Sequence, residues 1–301
     1  MPLPDLDNSP LKTSAGSTSA EVFSSTTTTV KQLSIADMKE IAKRLRRHII
    51  TMIRKAGSGH PGGSLSAVEI VTALYFGLLQ HKPSEPQWSD RDRFILSKGH
   101  AAPLLYATLA ECGYFPVDEL STLRQLDSRL QGHTDRTSTP GVEMSAGSLG
   151  QGLSFAIGIA INGRLSSQNY QVYILLGDGE CDEGQVWEAA MAAAHFKMDN
   201  LIAIVDNNGQ QIDGCNCDVM NLEPLNKKWQ AFGWYVIEVD GHDITQLVDA
   251  LKQAKLAKEQ PTVIIAHTIK GKGVSFMENN LNFHGKAPNA AEVEIALKEL
   301  E

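Results

Sequence analysis

The sequence predicts an α/β protein whose parallel sheet is covered by helices on both faces. In its second half, short and continuously apolar segments alternate with helical segments, which is typical of strands that are buried on both sides. The chain has 301 residues, of which 42% are hydrophobic and 21% charged, as in an ordinary globular protein with a substantial core. No internal repeat or long linker interrupts residues 33–301, so we expect one α/β domain there.

Residues 1–32 differ in composition from the rest of the chain. They are rich in Ser and Thr and poor in large apolar side chains, so burial would not offset the entropy lost on ordering. The segment lacks the apolar stretch of a secretion signal, and its acidic residues Asp5, Asp7 and Glu21 argue against a mitochondrial transit peptide. We therefore expect a flexible tail.

The first half of the predicted domain begins with a helix. Ser34 and Asp37 have the spacing of a capping box, and apolar residues then recur at helical intervals until Gly57. A second helix is predicted to start with the pair Ser66 and Glu69 and to continue through AVEIVTALYFGLL. The segment DRFILS then predicts a short buried strand.

The second half predicts four more strands and the helices between them. The strands are QVYILLG at 171–177, NLIAIVDN at 200–207, GWYVIEV at 233–239 and PTVIIAH at 261–267. Helices are predicted at 183–198, 224–233 and 243–257. Because parallel strands need crossover connections of this length, the alternation indicates parallel pairing.

Two consecutive predicted strands end in residues that suit a metal site, Gly-Asp-Gly at 177–179 and Asp-Asn-Asn at 206–208. The carboxyl ends of parallel strands meet at one edge of a sheet, where open α/β sheets bind ligands. Asp178 and Asn208 can therefore face one site. Their oxygens, with a nearby backbone carbonyl, suit Mg²⁺, which also binds phosphate oxygens and water. Either motif alone is more typical of a turn, but the pair favours a Mg²⁺–diphosphate site.

A second glycine-rich stretch, SAGSLGQGLSFAIGIAI, leads into an apolar helix. Gly147, Gly150 and Gly152 leave backbone N–H groups at the positive end of this helix, which predicts an anion-binding site. The stretch is neither a Walker loop nor a Rossmann fingerprint, because the Lys-Ser/Thr pair and the required glycine spacing are missing. A close-packed helix start explains this segment equally well.

Glycine also flanks several loop histidines. A single such histidine is usually only solvated, but the group predicts a cleft lined with neutral donors and acceptors, useful near pH 7. The group comprises His60, His100, His133 and His284. In contrast, His242 in DGHD is more typical of a helix-start turn.

Charge and cysteine content exclude several classes of protein. With 27 basic and 35 acidic residues, the net charge is 27 − 35 = −8, so the chain offers no basic surface for nucleic acid. No apolar run approaches the length of a membrane helix. Four cysteines are too few for a disulfide scaffold, which favours a reducing, cytoplasmic location. Cys215 and Cys217 lack the spacing of a zinc site and are interpreted as two loop thiols.

Five motifs, in order, resemble the amino-terminal part of transketolase. They are SGHPGGSLSAVEI, LSKGHAAPLLYATL, GSLGQGLSFAIGIA, GDGECDEGQVWEAAMAA and the IKGKGVSFMEN…HGKAP segment. The similarity covers residues 35 to about 290. Related ketoacid dehydrogenase subunits share the metal motif but not SGHPGG. The resemblance implies the thiamine diphosphate-binding fold, with thiamine diphosphate and Mg²⁺ or another divalent cation as cofactors.

The resemblance also implies roles for individual residues. The metal would be held by Asp178, Asn208 and the backbone carbonyl of Gln210. Cofactor contacts would come from His100, Gly147, Ser148, Leu149, Gly179, Lys270 and His284. The catalytic set would be His60, His133 and His284 around the thiazolium and the sugar donor, with Glu183 coupling two active sites across an interface.

The same resemblance implies a second polypeptide as partner. Family transketolases are much longer than this chain, and their next domain supplies the glutamate that activates the aminopyrimidine ring and the arginines that grip sugar phosphates. We therefore expect the diphosphate-binding subunit of a two-chain transketolase in an α₂β₂ assembly. Its reaction would be the transfer of a two-carbon ketol unit from a ketose phosphate to an aldose phosphate.

Other interpretations stay open at this point. The chain is also compatible with a subunit of another thiamine diphosphate enzyme that acts on different sugars or ketoacids. A non-catalytic cofactor-binding or regulatory homologue is a second alternative. A nicotinamide-binding Rossmann protein would share the strand–helix alternation, but the G-x-G-x-x-G motif is missing after the first strand.

Overall fold

Five parallel strands form the central sheet of the computed structural model, which describes residues 33–301. The strands are β1 (Arg93–Leu96), β2 (Val172–Gly177), β3 (Leu201–Asn207), β6 (Tyr235–Asp240) and β7 (Thr262–His267), in the spatial order β1-β2-β3-β7-β6. A short antiparallel hairpin, β4 (Gln210–Gln211) and β5 (Gly214–Cys215), follows β3. All five predicted strands are thus confirmed. The tail predicted for residues 1–32 lies outside the described residues.

Helices connect these strands. They are α1 (Ile35–Ala56), α2 (Pro61–Ser66), α3 (Val68–Ala73), α4 (Ala102–Glu111), α5 (Gln151–Leu165), α6 (Gly184–His195), α7 (Asn216–Val219), α8 (Leu225–Ala231), α9 (Ile244–Ala254) and α10 (Ala290–Glu299). Shorter helical turns cover Leu74–Leu78, Gly99–Ala101, Val117–Thr122, Gly179–Asp182 and Leu281–Phe283. No helix within residues 33–301 combines the length and the hydropathy needed to cross a membrane.

The two faces of the sheet pack into two separate apolar cores. Alternate residues of a strand point to opposite faces. Tyr173 and Leu175 of β2 accordingly pack with α1, α3, α4 and α9, whereas Ile174 and Leu176 pack with α5, α6 and α8. All of these β2 side chains are fully buried, so the strand is apolar on both sides. This arrangement confirms the predicted fold class.

Helix α1 has the ends that its sequence predicts. The Asp37 amide donates to the Ser34 hydroxyl oxygen at 3.1 Å, and the Ser34 amide donates to the Asp37 carboxylate at 3.2 Å, which completes the capping box. Gly57 ends the helix in the left-handed conformation, with a φ of 67°. Because a side chain at this φ is strained, glycine is the residue that suits this end.

The predicted start of the second helix is wrong. The chain becomes helical earlier, at Pro61, is interrupted at Ala67 and resumes at Val68. Ser66 does not cap a helix: its hydroxyl donates to the Asp206 carboxylate at 2.6 Å and also contacts the Gly63 carbonyl at 3.2 Å. A buried carboxylate needs such donors, and this tertiary demand overrides the local capping pattern.

The close packing of α5 against the end of β1 gives a stability prediction. A Cβ atom at Gly152 would lie 2.6 Å from the Ser97 Cβ, a distance that forces the helix and the strand apart. We expect Gly152→Ala to lower the free energy of unfolding by about 1–3 kcal/mol in urea denaturation.

Gly158 in the same helix is the matched control. It is exposed and a Cβ there meets open space. Since alanine is the better helix former, Gly158→Ala should raise the free energy of unfolding by about 0.5–1 kcal/mol. Effects of the same sign in both variants would contradict the packing argument.

Candidate functional site

A cavity of about 280 Å³ opens at the carboxyl ends of β2 and β3. Most of the predicted site residues line it: His60, His100, His133, Gly147, Leu149, Asp178, Gly179, Asn208, Gln210, Lys270 and His284. They come from eight separate stretches of the chain, so the fold brings together residues that the motifs name separately. Ser148 and Glu183 do not line the cavity.

Asp178 links the end of β2 to the residues after β3 by a hydrogen bond. β2 and β3 pair in parallel with Gly177 opposite Asp206, which places the next residues of both strands side by side. The Asp178 carboxylate accepts one hydrogen bond from the Gly179 amide at 2.8 Å and another from the Gly209 amide at 2.5 Å. The tips of the two strands therefore lie together, as the parallel arrangement predicted.

The oxygens around Asp178 suit a divalent cation. The Asn208 side-chain oxygen accepts from the Gln210 amide at 3.1 Å, and the Gln210 carbonyl accepts from the Lys270 ammonium at 3.2 Å. Burial, reinforced by the neighbouring Asp206 carboxylate, raises the pKa of Asp178 to about 6. A carboxylate, an amide oxygen and a carbonyl form the hard donor set that Mg²⁺ prefers, and a cation there would compensate the buried charge.

A fully buried ion pair lies beneath the strand ends, and no sequence motif revealed it. Lys98 bonds to the Asp206 carboxylate, which also accepts hydrogen bonds from the hydroxyls of Ser66 and Thr268. Burial favours a higher pKa for Asp206, but the adjacent Lys98 outweighs it and lowers the pKa. The only sequence signal was that Asp206 directly precedes the Asn pair, in a strand that is otherwise apolar.

The predicted anion-binding site at the start of α5 needs correction. The buried carboxylate of Glu180 accepts from the Gly150 amide at 2.9 Å and from the Gly177 amide at 3.0 Å. A protein carboxylate thus already occupies this helix end, and Gly152 serves close packing against Ser97. Of the three glycines, only Gly147 lines the cavity. Glu180 was not predicted, because its partners lie far away in sequence.

The glycine-flanked histidines form one cluster, as predicted. The ring of His60 lies 5.4 Å from that of His100, 5.7 Å from that of His133 and 5.6 Å from that of His284. Burial, aided by nearby cationic side chains, lowers the pKa of both His60 and His284 to about 4. Burial also lowers the pKa values of His100 and His133. All four rings are therefore neutral near pH 7.

Two ring nitrogens of this cluster are left for a ligand. The Nδ1 atoms of His60 and His284 are buried and have no hydrogen-bond partner among residues 33–301. A buried polar atom without a partner is unfavourable, so a bound polar molecule is the natural source of the missing bonds. This observation fits a polar ligand in the cavity.

The neutral histidines predict how stability depends on pH. Because the folded pKa of His60 and His284 is about 4 and the ordinary value is 6.5, the unfolded chain binds more protons between these values. Stability therefore falls as the pH drops from 6.5 toward 4. We expect the double variant His60→Gln/His284→Gln to lose less unfolding free energy over this range in urea denaturation. The exposed His195→Gln serves as the control, and equal slopes in all three proteins would refute the prediction.

Two predicted residues lie at the surface instead. Ser148 and Glu183 are exposed, and Glu183 packs beside Gly150 where α5 begins. Glu183 also forms the boundary residue of α6. Neither position is within the cavity wall, so their assigned roles stay predictions.

The interpretation of Cys215 and Cys217 as two loop thiols is wrong. The structure joins them in a disulfide, with 5.2 Å between their Cα atoms, a separation that suits a disulfide. Cys112 and Cys181 are free. The turn from β5 into α7 brings the pair together, and spacing alone does not reveal such a turn.

Comparison with known proteins identifies the family. Residues 37–300 match the family model described as transketolase, thiamine diphosphate binding domain. The chain is 46% identical over 265 residues to the 6-deoxy-6-sulfo-D-fructose transketolase subunit SqwG of Clostridium sp. (strain MSTE9), covering 88% of this chain and 96% of that relative. It is 45% identical over 270 residues to an apulose-4-phosphate transketolase subunit of Actinobacillus succinogenes, covering 89% and 98%.

Solved structures agree with these relatives. Transketolase from Campylobacter jejuni superimposes with a TM-score of 0.84 at 35% identity, over 89% of this chain and 43% of that chain. The chain thus spans about two fifths of the solved transketolase that it matches. These matches exclude the nicotinamide-binding interpretation. The sequence motifs, the fold and the strand-end cavity all agree with these matches. The chain therefore belongs to the transketolase family and corresponds to its thiamine diphosphate-binding domain.

Proposed function

We propose that this chain is the thiamine diphosphate- and Mg²⁺-binding subunit of a two-chain transketolase. Its reaction would transfer a two-carbon ketol unit from a ketose phosphate to an aldose phosphate. The observation that carries the proposal is the cavity in which the oxygens of Asp178, Asn208 and Gln210 lie beside four neutral histidines. A cytoplasmic location belongs to the same proposal and rests on the low cysteine content, whereas the Cys215–Cys217 disulfide argues against it.

In this proposal the strand ends hold the metal and the diphosphate. Asp178, Asn208 and the Gln210 carbonyl would bind Mg²⁺, and the walls at His100, Gly147, Leu149 and Gly179 would contact the cofactor. The proposal keeps the exposed Ser148, which is outside the cavity wall, as a further cofactor contact. When bound, the thiazolium supplies the electron sink for carbon–carbon cleavage. The protein contributes binding and orientation.

Lys270 adds positive charge to the same wall. Burial and the nearby Lys98 lower the pKa of Lys270 to about 8, so it stays mostly protonated near pH 7. Its ammonium lies 3.2 Å from the Gln210 carbonyl oxygen. A buried cation in this position would balance the charge of a diphosphate.

The histidines would position the sugar and transfer its protons. Neutral imidazoles both donate and accept hydrogen bonds, and a positioned proton-transfer group contributes about 10²–10⁴-fold to a rate. The unpaired Nδ1 atoms of His60 and His284 offer two such contacts inside the cavity. We assign His60, His133 and His284 to sugar positioning and proton transfer.

A second polypeptide would complete this site. Two relatives that this chain nearly covers are themselves named transketolase subunits, which supports the same organisation here. We propose a partner that carries the pyrimidine-binding domain and the phosphate-gripping arginines, within an α₂β₂ assembly. The exposed Glu183 would then lie at an interface between chains.

The test is reconstitution with the carboxyl-terminal half of a two-chain transketolase. We expect this chain alone to be inactive and the reconstituted pair, with thiamine diphosphate and Mg²⁺, to convert ketose and aldose phosphates. Assays with pentose phosphates and with pyruvate, run side by side, separate the proposal from its alternatives. Turnover by the isolated chain would overturn the two-chain organisation.

The other possible results of these assays distinguish between the alternative functions. Consumption of pyruvate instead of ketose phosphates would indicate another thiamine diphosphate enzyme. Cofactor binding without turnover of any of these substrates in the reconstituted pair would indicate a non-catalytic homologue. The names of the two relatives refer to different sugars, so sulfofructose and apulose phosphate belong in the same substrate panel.

A further inference from the structure

A buried ionic cluster lies behind the cavity, and none of its members lines the cavity wall. Arg46 on α1 donates to both carboxylate oxygens of Glu69 on α3, at 2.6 and 2.8 Å. His242, between β6 and α9, places its Nδ1 atom 3.0 Å from the same carboxylate. Arg46 is 6% and Glu69 8% exposed, so this polar cluster is built into the protein interior.

His242 connects Glu69 to the segment that follows β7. The backbone amide of Ile269 donates to the Nε2 atom of His242 at 2.8 Å. Because an amide N–H only donates, Nε2 must be the unprotonated nitrogen, and the ring proton of the neutral imidazole then sits on Nδ1. That proton is donated to Glu69. The hydrogen bonds thus define both the tautomer and the orientation of the ring.

Arg46 connects Glu69 to the other end of the same segment. Its Nε atom donates to the Lys272 carbonyl at 2.9 Å, in addition to its two bonds to Glu69. A Cβ atom at Gly273 would lie 2.8 Å from that nitrogen, so the backbone passes directly against the guanidinium. One carboxylate therefore orients two side chains, which bind the backbone on either side of Lys270.

The charge state of Glu69 is suited to this task. Burial favours a higher pKa, but the hydrogen bond from His242 and the charge of Arg46 outweigh it and lower the pKa of Glu69 to about 2. The carboxylate stays ionised, and charge-assisted bonds of this kind are the stronger ones in proteins.

We propose that Arg46, Glu69 and His242 are positioning residues that hold segment 268–273 and so fix Lys270 in the cofactor cavity. Lys270 is 2% exposed and bonds to the Gln210 carbonyl, so a small shift of its backbone moves a charge within the site. The role of Lys270 toward the cofactor rests on the proposed function. The positioning of segment 268–273 by Arg46, Glu69 and His242 is inferred from the hydrogen bonds alone.

The experiment compares two substitutions of His242 in the full chain. The oxygen of a glutamine can still accept from the Ile269 amide, whereas an alanine cannot. His242→Ala also leaves Glu69 paired with Arg46, which limits the risk of unfolding. Hydrogen exchange of the amides in 268–273 is measured in the isolated chain, and the cofactor concentration for half-saturation and kcat are measured in the reconstituted pair.

We expect His242→Ala to speed amide exchange in 268–273 and to raise the half-saturating cofactor concentration about tenfold, with a much smaller change in kcat. His242→Gln should restore most of the slow amide exchange in 268–273 and most of the cofactor affinity. The control is His267→Ala, an exposed histidine three residues before Lys270 that pairs with Glu238, and it should change neither measurement. Equal effects of the alanine and glutamine variants, or unchanged exchange in 268–273, would overturn the proposal.

Glu69→Gln provides an independent test of the shared carboxylate. It should loosen both sides of the segment, so that exchange increases at Ile269 and at Gly273 together. Faster exchange at only one side would show that Glu69 does not link them. If the wild-type pair binds no thiamine diphosphate, the proposed function fails while the exchange results still decide the positioning role.

Discussion

Asp178→Asn is expected to abolish Mg²⁺-dependent binding of thiamine diphosphate, with a loss of affinity of at least about 100-fold, or about 2.7 kcal/mol. The change removes the charged ligand from the proposed metal site. It also removes an acceptor, because Asp178 accepts from the Gly179 and Gly209 amides and an asparagine NH₂ group cannot accept. Calorimetric titration of the cofactor, at fixed and saturating Mg²⁺, measures the effect.

Asp218→Asn is the control for this experiment. Asp218 is exposed on α7 and does not line the cavity, so its substitution removes the same charge without changing the strand ends. Its affinity should equal that of the wild type. If Asp178→Asn, folded by circular dichroism, binds the cofactor as tightly as the wild type, the strand ends do not form the metal site.

Lys98→Met is expected to cause the largest loss of stability, about 3–5 kcal/mol in the free energy of unfolding. Lys98 and Asp206 are almost completely buried, with side-chain exposures of 2% and 0%. Among residues 33–301, removing the ammonium leaves this interior carboxylate with the hydroxyls of Ser66 and Thr268 and, at 3.4 Å, the side-chain amide of Asn208 as donors. Urea denaturation measures the loss.

Two further variants show whether the uncompensated charge is the cause. The double variant Lys98→Met/Asp206→Asn removes both charges but keeps an acceptor for the hydroxyls, so it should recover much of the loss. Lys197→Met breaks an exposed pair with Glu259 and should cost less than about 1 kcal/mol. A double variant as unstable as Lys98→Met alone would contradict this explanation.

The sequence was most informative where the signal was local. The apolar strands, the capping box at Ser34 and the strand-end residues Asp178 and Asn208 all follow from short patterns. One topological rule, that parallel strands share an edge for their carboxyl ends, was enough to place the latter two residues together. Flanking glycines likewise identified the loop histidines that form the cluster.

The sequence was least informative where partners are distant. Lys98 and Asp206 are separated by 108 residues. The Ser97 hydroxyl donates to the Glu180 carboxylate across 83 residues, so no short pattern links either pair. Ser66 is a further case in which a distant partner, not the local sequence pattern, determines the role of a side chain. It stands three residues before Glu69, as in a capping box, yet its hydroxyl serves Asp206 across the core.

The cluster behind the cavity illustrates how a correct local assignment can be incomplete. His242 does sit in a turn that leads into α9, as its DGHD context indicates. Its bonds to Glu69 and Ile269 depend on α3 and on the segment after β7, which are far from it in sequence. Only the assembled fold brings them together.

The carboxylate of Glu180 at the first turn of α5 has a consequence for how the coenzyme is retained. Because that negative group already neutralises the positive end of the helix, the helix contributes little toward holding a pyrophosphate. Under the proposed function, retention of the cofactor would then depend on the divalent ion and on Lys270, so cofactor occupancy would follow the concentration of free magnesium. The protein would load and release its vitamin-derived coenzyme as that supply rises and falls.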